Sequence, residues 1–99
     1  MRPIHTAQLD TMRPVLILTR ELVRPYLNRV TVAPITRTIR GLSTEVVVGA
    51  ANGLDGDSAV SCDNIVTVPN ADLGPRIGFL LPGQELELAD AIRAAFDLA

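Results

Sequence analysis

The stretch DTMRPVLIL, residues 10–18, contains the strand from which the rest of the fold can be argued. Val15 to Leu18 form an unbroken apolar run, which predicts a strand buried on both faces. Arg13 and Pro14 directly precede this run. A cation at the mouth of a buried strand costs free energy unless an opposite charge pairs with it. Arg13 therefore belongs either to a structural ion pair or to a site that binds an anion.

The segments around this strand are short and rich in β-branched residues. We expect strands at residues 4–9, 14–19, 29–39, 44–49 and 76–80, and one more over 58–63 and 65–68, bent at Asp63-Asn64. Pro34 predicts a bulge or an edge position for the third strand. The NGLDGD segment at 52–57 predicts a turn, because it holds Asn-Gly and Asp-Gly pairs.

The C-terminal segment differs, because its apolar residues recur at helical spacing from Pro82 onward. The predicted apolar stripe consists of Leu88, Ala91, Ile92, Ala95 and Phe96. Pro82 suits the first helical turn. Six or seven short strands and a terminal helix in 99 residues predict a mainly β fold, an SH3-like small β-barrel with a C-terminal α-helix. We expect one domain over residues 1–99.

The composition indicates in which cellular compartment the protein is found. No apolar run approaches the ~20 residues that a membrane helix needs, and the first dozen residues do not resemble a signal peptide. Cys62 is the only cysteine, so no disulfide can form within the chain. We therefore expect a cytoplasmic protein.

The charge is segregated along the chain. Residues 1–40 hold seven of the nine arginines and two acids, a net charge of +5, whereas residues 41–99 hold two arginines and nine acids, a net charge of −7. Such asymmetry indicates a polyanionic or an acidic partner.

The chain has no lysine, and arginine suits phosphate with its planar fork of donors, although a codon bias toward arginine would also explain the missing lysines. Only Tyr26, Phe79 and Phe96 are aromatic, which disfavours binding by base stacking.

Several kinds of catalytic site are disfavoured by the sequence. One His and one Cys among scattered carboxylates form no metal-ligand motif, and neither a Ser-His-Asp arrangement nor a Gly-rich phosphate loop is found. What remains is Arg13 and the polar residues that close the third strand. On a strand, Thr36, Thr38 and Arg40 would share one face and form a cationic strip that carries hydroxyls. A solvated edge strand would have the same pattern.

At the level of longer motifs, the chain resembles a known family. The segments RPVLIL, VAPIT, GLSTEV, DSAVSCDNIVTV and LGPRIGFLLP, in this order and followed by the terminal helix, are similar to the MazF/PemK endoribonuclease toxins, and among them to the mycobacterial MazF type with a short N-terminus. The similarity covers about Ile4 to Leu98. It implies a cytoplasmic homodimer that cleaves single-stranded RNA at short sequences, without a metal or another cofactor, and so inhibits translation and growth. The 2′-hydroxyl of the RNA attacks the adjacent phosphorus and leaves a 2′,3′-cyclic phosphate and a 5′-hydroxyl.

The resemblance also assigns roles to residues of this chain. The arginine that binds the scissile phosphate falls on Arg13, the threonine that hydrogen-bonds this phosphate falls on Thr36, and a candidate base falls on Asp63. The implied RNA-binding set consists of Arg37, Thr38, Arg40, Leu42, Ser43, Thr44, Glu45 and Asn64. The arginine that Kid-type relatives carry two residues before the aspartate is Ser61 here, so its role does not carry over.

The chain departs from the family in front of Arg13. Relatives carry a longer loop there, with a Gly-Ser/His-Glu-Gln motif that closes over RNA, whereas this chain has only Asp10, Thr11 and Met12. The general acid and base are therefore open, with His5, Gln8 and Asp10 as candidates for proton transfer. A shorter loop leaves the groove more open, and we expect a different cut-site preference that includes structured RNA such as tRNA or rRNA loops.

The arginine-rich groove would also attract an acidic peptide. The resemblance implies a MazE-like antitoxin, whose acidic C-terminal segment wraps the dimer and blocks the site.

Two other functions are compatible with parts of this sequence pattern. CcdB-like toxins, which poison DNA gyrase, share the barrel but depend on a C-terminal Trp-Gly-Ile, and this chain has no tryptophan. An RNA-binding module without catalysis is compatible with the missing loop.

Overall fold

The computed structural model describes residues 1–99 and contains seven strands, one α-helix and four single-turn 3-10 helices. The elements are β1 (Pro3–Gln8), β2 (Met12–Ile17), β3 (Arg29–Thr36), β4 (Glu45–Val48), β5 (Ser58–Ser61), β6 (Val66–Pro69), β7 (Leu73–Phe79) and α1 (Gln84–Phe96). Every strand pair is antiparallel, in the order β4-β5-β3-β2-β1-β7, and β6 also pairs with β3. The predicted mainly β class with a terminal helix is confirmed. No ladder joins β4 to β7, so hydrogen bonds do not close the barrel.

Strand β3 is the centre of the sheet, so the predicted edge position was wrong. It pairs with β6 through residues 29–32, with β2 through residues 32–34 and with β5 through residues 35–36. Pro34 is compatible with this position because it lies between the segment that pairs with β6 and the segment that pairs with β5. Proline has no backbone N–H to donate. Because neither β6 nor β5 is paired with β3 at Pro34, neither strand loses a hydrogen bond there.

Two apolar clusters lie on the two faces of the sheet. One packs beneath the helix and consists of Ile4, Leu16, Ala33, Ile35, Val46, Val48, Leu54, Val60, Cys62, Leu80, Leu88 and Ala91. The other consists of Ala7, Val15, Ile17, Val30, Val32 and Val68. Strand β2 supplies Leu16 to the first cluster and Val15 and Ile17 to the second. The prediction that this strand is buried on both faces is confirmed.

The helix begins two residues later than predicted, at Gln84 instead of Pro82. The Gln84 side chain accepts a hydrogen bond from the Leu81 backbone N–H at 2.9 Å, so one backbone donor before the helix is satisfied. Phe96 is 55% exposed, and its predicted place on the apolar stripe was wrong, because the helix ends there and the chain turns into the left-handed conformation at Asp97. The protein has no helix of the length and hydrophobicity needed to cross a membrane.

The predicted bent strand over residues 58–68 is two strands, β5 and β6. A short helical turn, Cys62–Asn64, separates them at the predicted bend. Both strands pair with β3, β6 with its first half and β5 with its end. The turn is anchored by the buried Cys62 and carries the exposed Asp63 and Asn64 to the end of β3.

Candidate nucleic-acid interface

Arg13 and Thr36 lie near each other at the ends of neighbouring strands. The β2–β3 ladder ends at the pair Val15–Pro34, and Arg13 and Thr36 each lie two residues beyond that pair, on the same face of the sheet. Both residues line two cavities of about 510 and 450 Å³. The structure thus brings together two residues that come from separate sequence motifs, and it places them between two spaces that a ligand can enter.

The Arg13 guanidinium is only partly paired. Its Nη2 lies 3.4 Å from both carboxylate oxygens of Asp10, and the Asp10 side chain is 73% exposed. An exposed ion pair of this length contributes little to stability. The Nε of Arg13 is buried and has no hydrogen-bond partner. Arg13 therefore takes part in a weak ion pair and keeps donors that an oxyanion can use.

Thr36 has a free hydroxyl hydrogen. Its Oγ1 accepts a hydrogen bond from the Thr38 backbone N–H at 3.2 Å. This contact uses a lone pair of the hydroxyl and leaves its hydrogen available to a further acceptor. Arg13 and Thr36 together present donors to the region between the cavities.

The cavity of about 450 Å³, here the loop cavity, collects most of the predicted RNA-binding residues. It is lined by Arg13, Pro34, Thr36, Thr38, Arg40, Leu42, Glu45, Ser61, Asp63 and Asn64. Strand β3 ends at Thr36, so the strand face predicted for Thr36, Thr38 and Arg40 was wrong. These residues meet because the connection from β3 to β4 folds along the cavity.

Carboxylates hold the loops of this cavity in place. Glu45 Oε1 accepts hydrogen bonds from the backbone N–H of Arg40 at 3.2 Å and of Leu42 at 3.1 Å. Gly41, between them, has φ +73°, a conformation that favours glycine. Thr44 does not line the cavity, but its hydroxyl donates to Asp63 Oδ2 at 2.7 Å and joins the two loops.

Two other predicted residues of this region differ in their placement. Asn64 lines the loop cavity and donates from Nδ2 to Ser61 Oγ at 2.8 Å, which leaves its amide oxygen without a partner in the protein. Ser43 is exposed and lies outside both cavities. The amide oxygen of Asn64 can therefore accept a hydrogen bond from a ligand in this cavity.

The cavity of about 510 Å³, here the strand cavity, contains residues that the sequence analysis missed. It is lined by Thr6, Thr11, Arg13, Pro14, Ile35, Thr36, Arg37, Gly53, Leu54, Asp55, Ser58 and Ile77. The NGLDGD segment, interpreted from sequence as a turn alone, supplies part of this wall. A Cβ on Gly56 would lie 2.7 Å from Arg37 Nη2, so the glycine allows Arg37 to lie across the turn. The polar residues of this turn, directly before the start of β5, were the sequence signal that could have indicated this wall.

The structure does not place His5 or Gln8 beside Arg13. His5 Nδ1 lies 2.9 Å from the Gly74 carbonyl oxygen, and His5 lines a different cavity. Gln8 is exposed at the end of β1 and lines neither the loop cavity nor the strand cavity. Of the three proton-transfer candidates, only Asp10 contacts Arg13. No three His, Cys, Asp or Glu side chains form a group that could hold a metal ion.

Cys62 is buried next to the site and is not a nucleophile at neutral pH. Burial raises the pKa of its thiol from 9.0 to about 11, and the negative charge of Asp63 adds to the effect. A thiol with a raised pKa stays protonated, whereas a reactive cysteine needs the thiolate. Cys62 therefore contributes to the core.

Comparisons with known proteins agree with this arrangement. The family model of PemK-like, MazF-like toxins of type II toxin–antitoxin systems matches residues 2–96. "Endoribonuclease MazF3" of Mycobacterium tuberculosis is 67% identical over 98 residues, which cover 99% of this chain and 95% of that protein. The structure of Mycobacterium tuberculosis toxin MazF-mt6 matches with a TM-score of 0.97 and 66% identity over 99% of each chain. An endoribonuclease in complex with its cognate antitoxin, from a mycobacterial species, matches with a TM-score of 0.87 and 26% identity over 98% of this chain and 93% of that chain.

Proposed function

Because the chain belongs to the PemK-like, MazF-like toxins of type II toxin–antitoxin systems, we propose that it is an endoribonuclease that cuts single-stranded RNA between its two large cavities. The observation that carries this proposal is that Arg13 and Thr36 both line the two cavities and that each keeps an unused hydrogen-bond donor. In the proposed complex the scissile phosphate lies against these two residues. One neighbouring nucleotide then enters the loop cavity and the other enters the strand cavity.

The proposed reaction uses a nucleophile that the RNA itself supplies. The 2′-hydroxyl oxygen forms a bond to the adjacent phosphorus, and the bond from phosphorus to the 5′-oxygen breaks. The products are a 2′,3′-cyclic phosphate and a 5′-hydroxyl. Negative charge develops on the phosphoryl oxygens, where the guanidinium of Arg13 stabilises it and the hydroxyl of Thr36 donates a hydrogen bond. Holding the phosphate in line with the 2′-oxygen lowers the entropy cost of the attack.

Two carboxylates are the candidates for moving the protons. The base removes the proton of the 2′-hydroxyl, and the acid protonates the departing 5′-oxygen. Asp10 contacts Arg13, and Asp63 lines the loop cavity with one oxygen engaged by Thr44. Arg13 supplies positive charge. The pH–rate profiles of Asp10→Asn and Asp63→Asn separate the two roles, since the variant that lacks the base loses the acidic limb of the profile.

We propose that the protein partners bind at the same two cavities as the RNA. The mycobacterial endoribonuclease noted above is bound to its cognate antitoxin, and we extend this arrangement to a MazE-like antitoxin whose acidic C-terminal segment occupies the arginine-lined cavities. The family resemblance supports a homodimer. The proposed RNA substrates are those of translation, which supports a cytoplasmic location.

The test is cleavage of a mixed RNA pool in EDTA, with sequencing of all new 5′ ends. Wild type is expected to produce 5′-hydroxyl ends at a small set of short sequences, and Arg13→Ala is expected to produce none above background. Arg93→Ala is the matched control, because Arg93 lies on the exposed surface of α1 and pairs only with Asp90. Cleavage that survives in Arg13→Ala would contradict the assigned site, and binding of RNA without cleavage by wild type would identify a non-catalytic module.

A further inference from the structure

A third cavity, here the basic cavity, lies apart from Arg13 and Thr36. Its volume is about 260 Å³, and it is lined by Met1, Pro3, His5, Glu21, Arg24, Arg76 and Phe79. Two arginines and one glutamate line it, so the cavity carries a net positive charge. We propose that this cavity binds a second phosphate of the RNA strand that is cleaved at Arg13. The inference rests on the proposed endoribonuclease function.

The two arginines of the basic cavity have unused hydrogen-bonding capacity. Arg24 Nη1 is buried without a partner, and the nearest carboxylate, that of Glu21, lies 3.9 Å from Arg24 Nε. The Arg76 guanidinium carbon lies 4.7 Å from the centroid of the Phe79 ring, and Arg76 forms no salt bridge. A buried donor without a partner is costly, and phosphate oxygens match the geometry of a guanidinium.

His5 is held in a fixed orientation at this cavity. Since the Gly74 carbonyl only accepts hydrogen bonds, Nδ1 of His5 carries the hydrogen and Nε2 is the free ring nitrogen. Strands β1 and β7 pair His5 directly with Arg76. The two side chains therefore lie side by side on one face of the sheet.

The basic cavity lies within reach of an RNA strand that is bound at Arg13. His5 and Ala7 share one face of β1, and Ala7 is paired with Arg13 on β2. Two residues along a strand span about 6.6 Å and a strand pair about 5 Å, so the Cα atoms of His5 and Arg13 are about 8 Å apart. Half-buried Leu73, which is paired with Ala7, packs on the apolar cluster of this face and offers a base an apolar surface. An acidic peptide would match the charge of the cavity, but the alignment along one sheet face with the phosphate-binding arginine favours RNA.

The experiment measures the binding of an RNA that cannot be cleaved, because a 2′-deoxy nucleotide replaces the nucleophile at the cut site. Affinity is measured between 50 and 300 mM salt for wild type, Arg76→Gln, Arg24→Gln and the control Arg93→Gln. Each lost phosphate contact is expected to reduce the slope of log affinity against log salt by about 0.7 for single-stranded RNA. Arg76→Gln should show this reduction and Arg93→Gln should not.

Two further measurements define the outcome. The single-turnover cleavage rate at subsaturating protein should fall in Arg76→Gln in proportion to its loss of affinity, and it should be unchanged in Arg93→Gln, because Arg93 lines none of the three cavities. The RNA is also shortened stepwise from one end. Once the phosphate that contacts Arg76 is removed, wild type and Arg76→Gln should bind the RNA with equal affinity. Normal cleavage by wild type with equal slopes in Arg76→Gln would overturn the second phosphate site and leave the proposed function intact. If Arg76→Gln weakens binding of a glutamate-rich peptide but not of RNA, the cavity serves an acidic partner and the proposal is also wrong. Arg76 is exposed, so Arg76→Gln keeps the test open even if Arg24→Gln fails to fold.

Discussion

The two halves of the candidate site are built by different means. Arg13 and Thr36 are placed by neighbouring strands of the central sheet, whose pairing is fixed by two buried apolar clusters. The residues of the loop cavity lie mainly on connections, where Glu45 and Asp63 accept hydrogen bonds from the loops. The first half is as rigid as the sheet, and the second depends on a few exposed hydrogen bonds. This difference predicts that changes in the strand-borne half alter the rate of cleavage, whereas changes in the loop-borne half alter the choice of sequence.

The largest effect is expected for Arg13. Arg13→Ala removes the charge and the donors that stabilise the phosphoryl oxygens, and the single-turnover rate should fall by about 10²–10³-fold or more. Arg13→Lys keeps a charge but loses the planar fork, so its rate should lie between wild type and Arg13→Ala. A loss of less than tenfold in Arg13→Ala would mean that the strand-borne half does not hold the reacting group.

Thr36 is expected to show the next largest effect. Thr36→Val keeps the shape of the side chain and removes the hydroxyl, and one hydrogen bond to a charged group is worth roughly 1.5–3 kcal/mol, or about 10–100-fold in rate. Thr36→Ser restores the hydroxyl and should recover most of the activity. Equal losses in both variants would show that the methyl group matters and that the hydroxyl does not.

Glu45 tests the loop-borne half. Glu45→Ala frees the backbone N–H groups of Arg40 and Leu42, so the connection loses its fixed position, and mapping of the new 5′ ends should show a broader set of cut sites. The rate at the preferred wild-type site should change only a few-fold. Glu45→Gln retains an oxygen acceptor and should lie closer to wild type. An unchanged set of sites, cut more slowly in Glu45→Ala, would contradict the division of roles.

Cys62 connects the loop-borne half to the apolar core. Replacing it should change the free energy of unfolding and leave the chemical step of cleavage unchanged. The folded state raises the pKa of the thiol to about 11 from 9.0, so the unfolded chain loses the proton first as pH rises. This contribution to stability is fully present below pH 9 and is lost between pH 9 and about 11, by up to about 3 kcal/mol. Denaturant titrations of wild type should show this loss, and those of Cys62→Ala should lack it. Parallel pH curves for the two proteins would refute the assignment.

Local patterns were sufficient to predict the strands and the helix, since alternation, turn residues and helical spacing depend on neighbouring residues. The position of Pro34 was misjudged because the change of partner strand along β3 involves residues far apart in sequence. The face of Thr36, Thr38 and Arg40 was predicted by continuing the strand period past its actual end. The family resemblance indicated Arg13 and Thr36, and only the pairing of β2 with β3 brings them to the same two cavities. His5 could not be assigned from sequence, because its cavity depends on the pairing of β1 with the distant β7.

The most direct test of the account is a sulfur substitution at the scissile phosphate. An RNA is prepared with one non-bridging phosphoryl oxygen replaced by sulfur, and its single-turnover cleavage is compared with that of the natural RNA. Sulfur is a weaker acceptor, so one of the two stereoisomers should be cleaved more slowly by wild type. The account predicts that this difference largely disappears in Arg13→Ala, because the contact is already absent. A difference of the same size in wild type and Arg13→Ala would show that Arg13 does not bind the reacting phosphate.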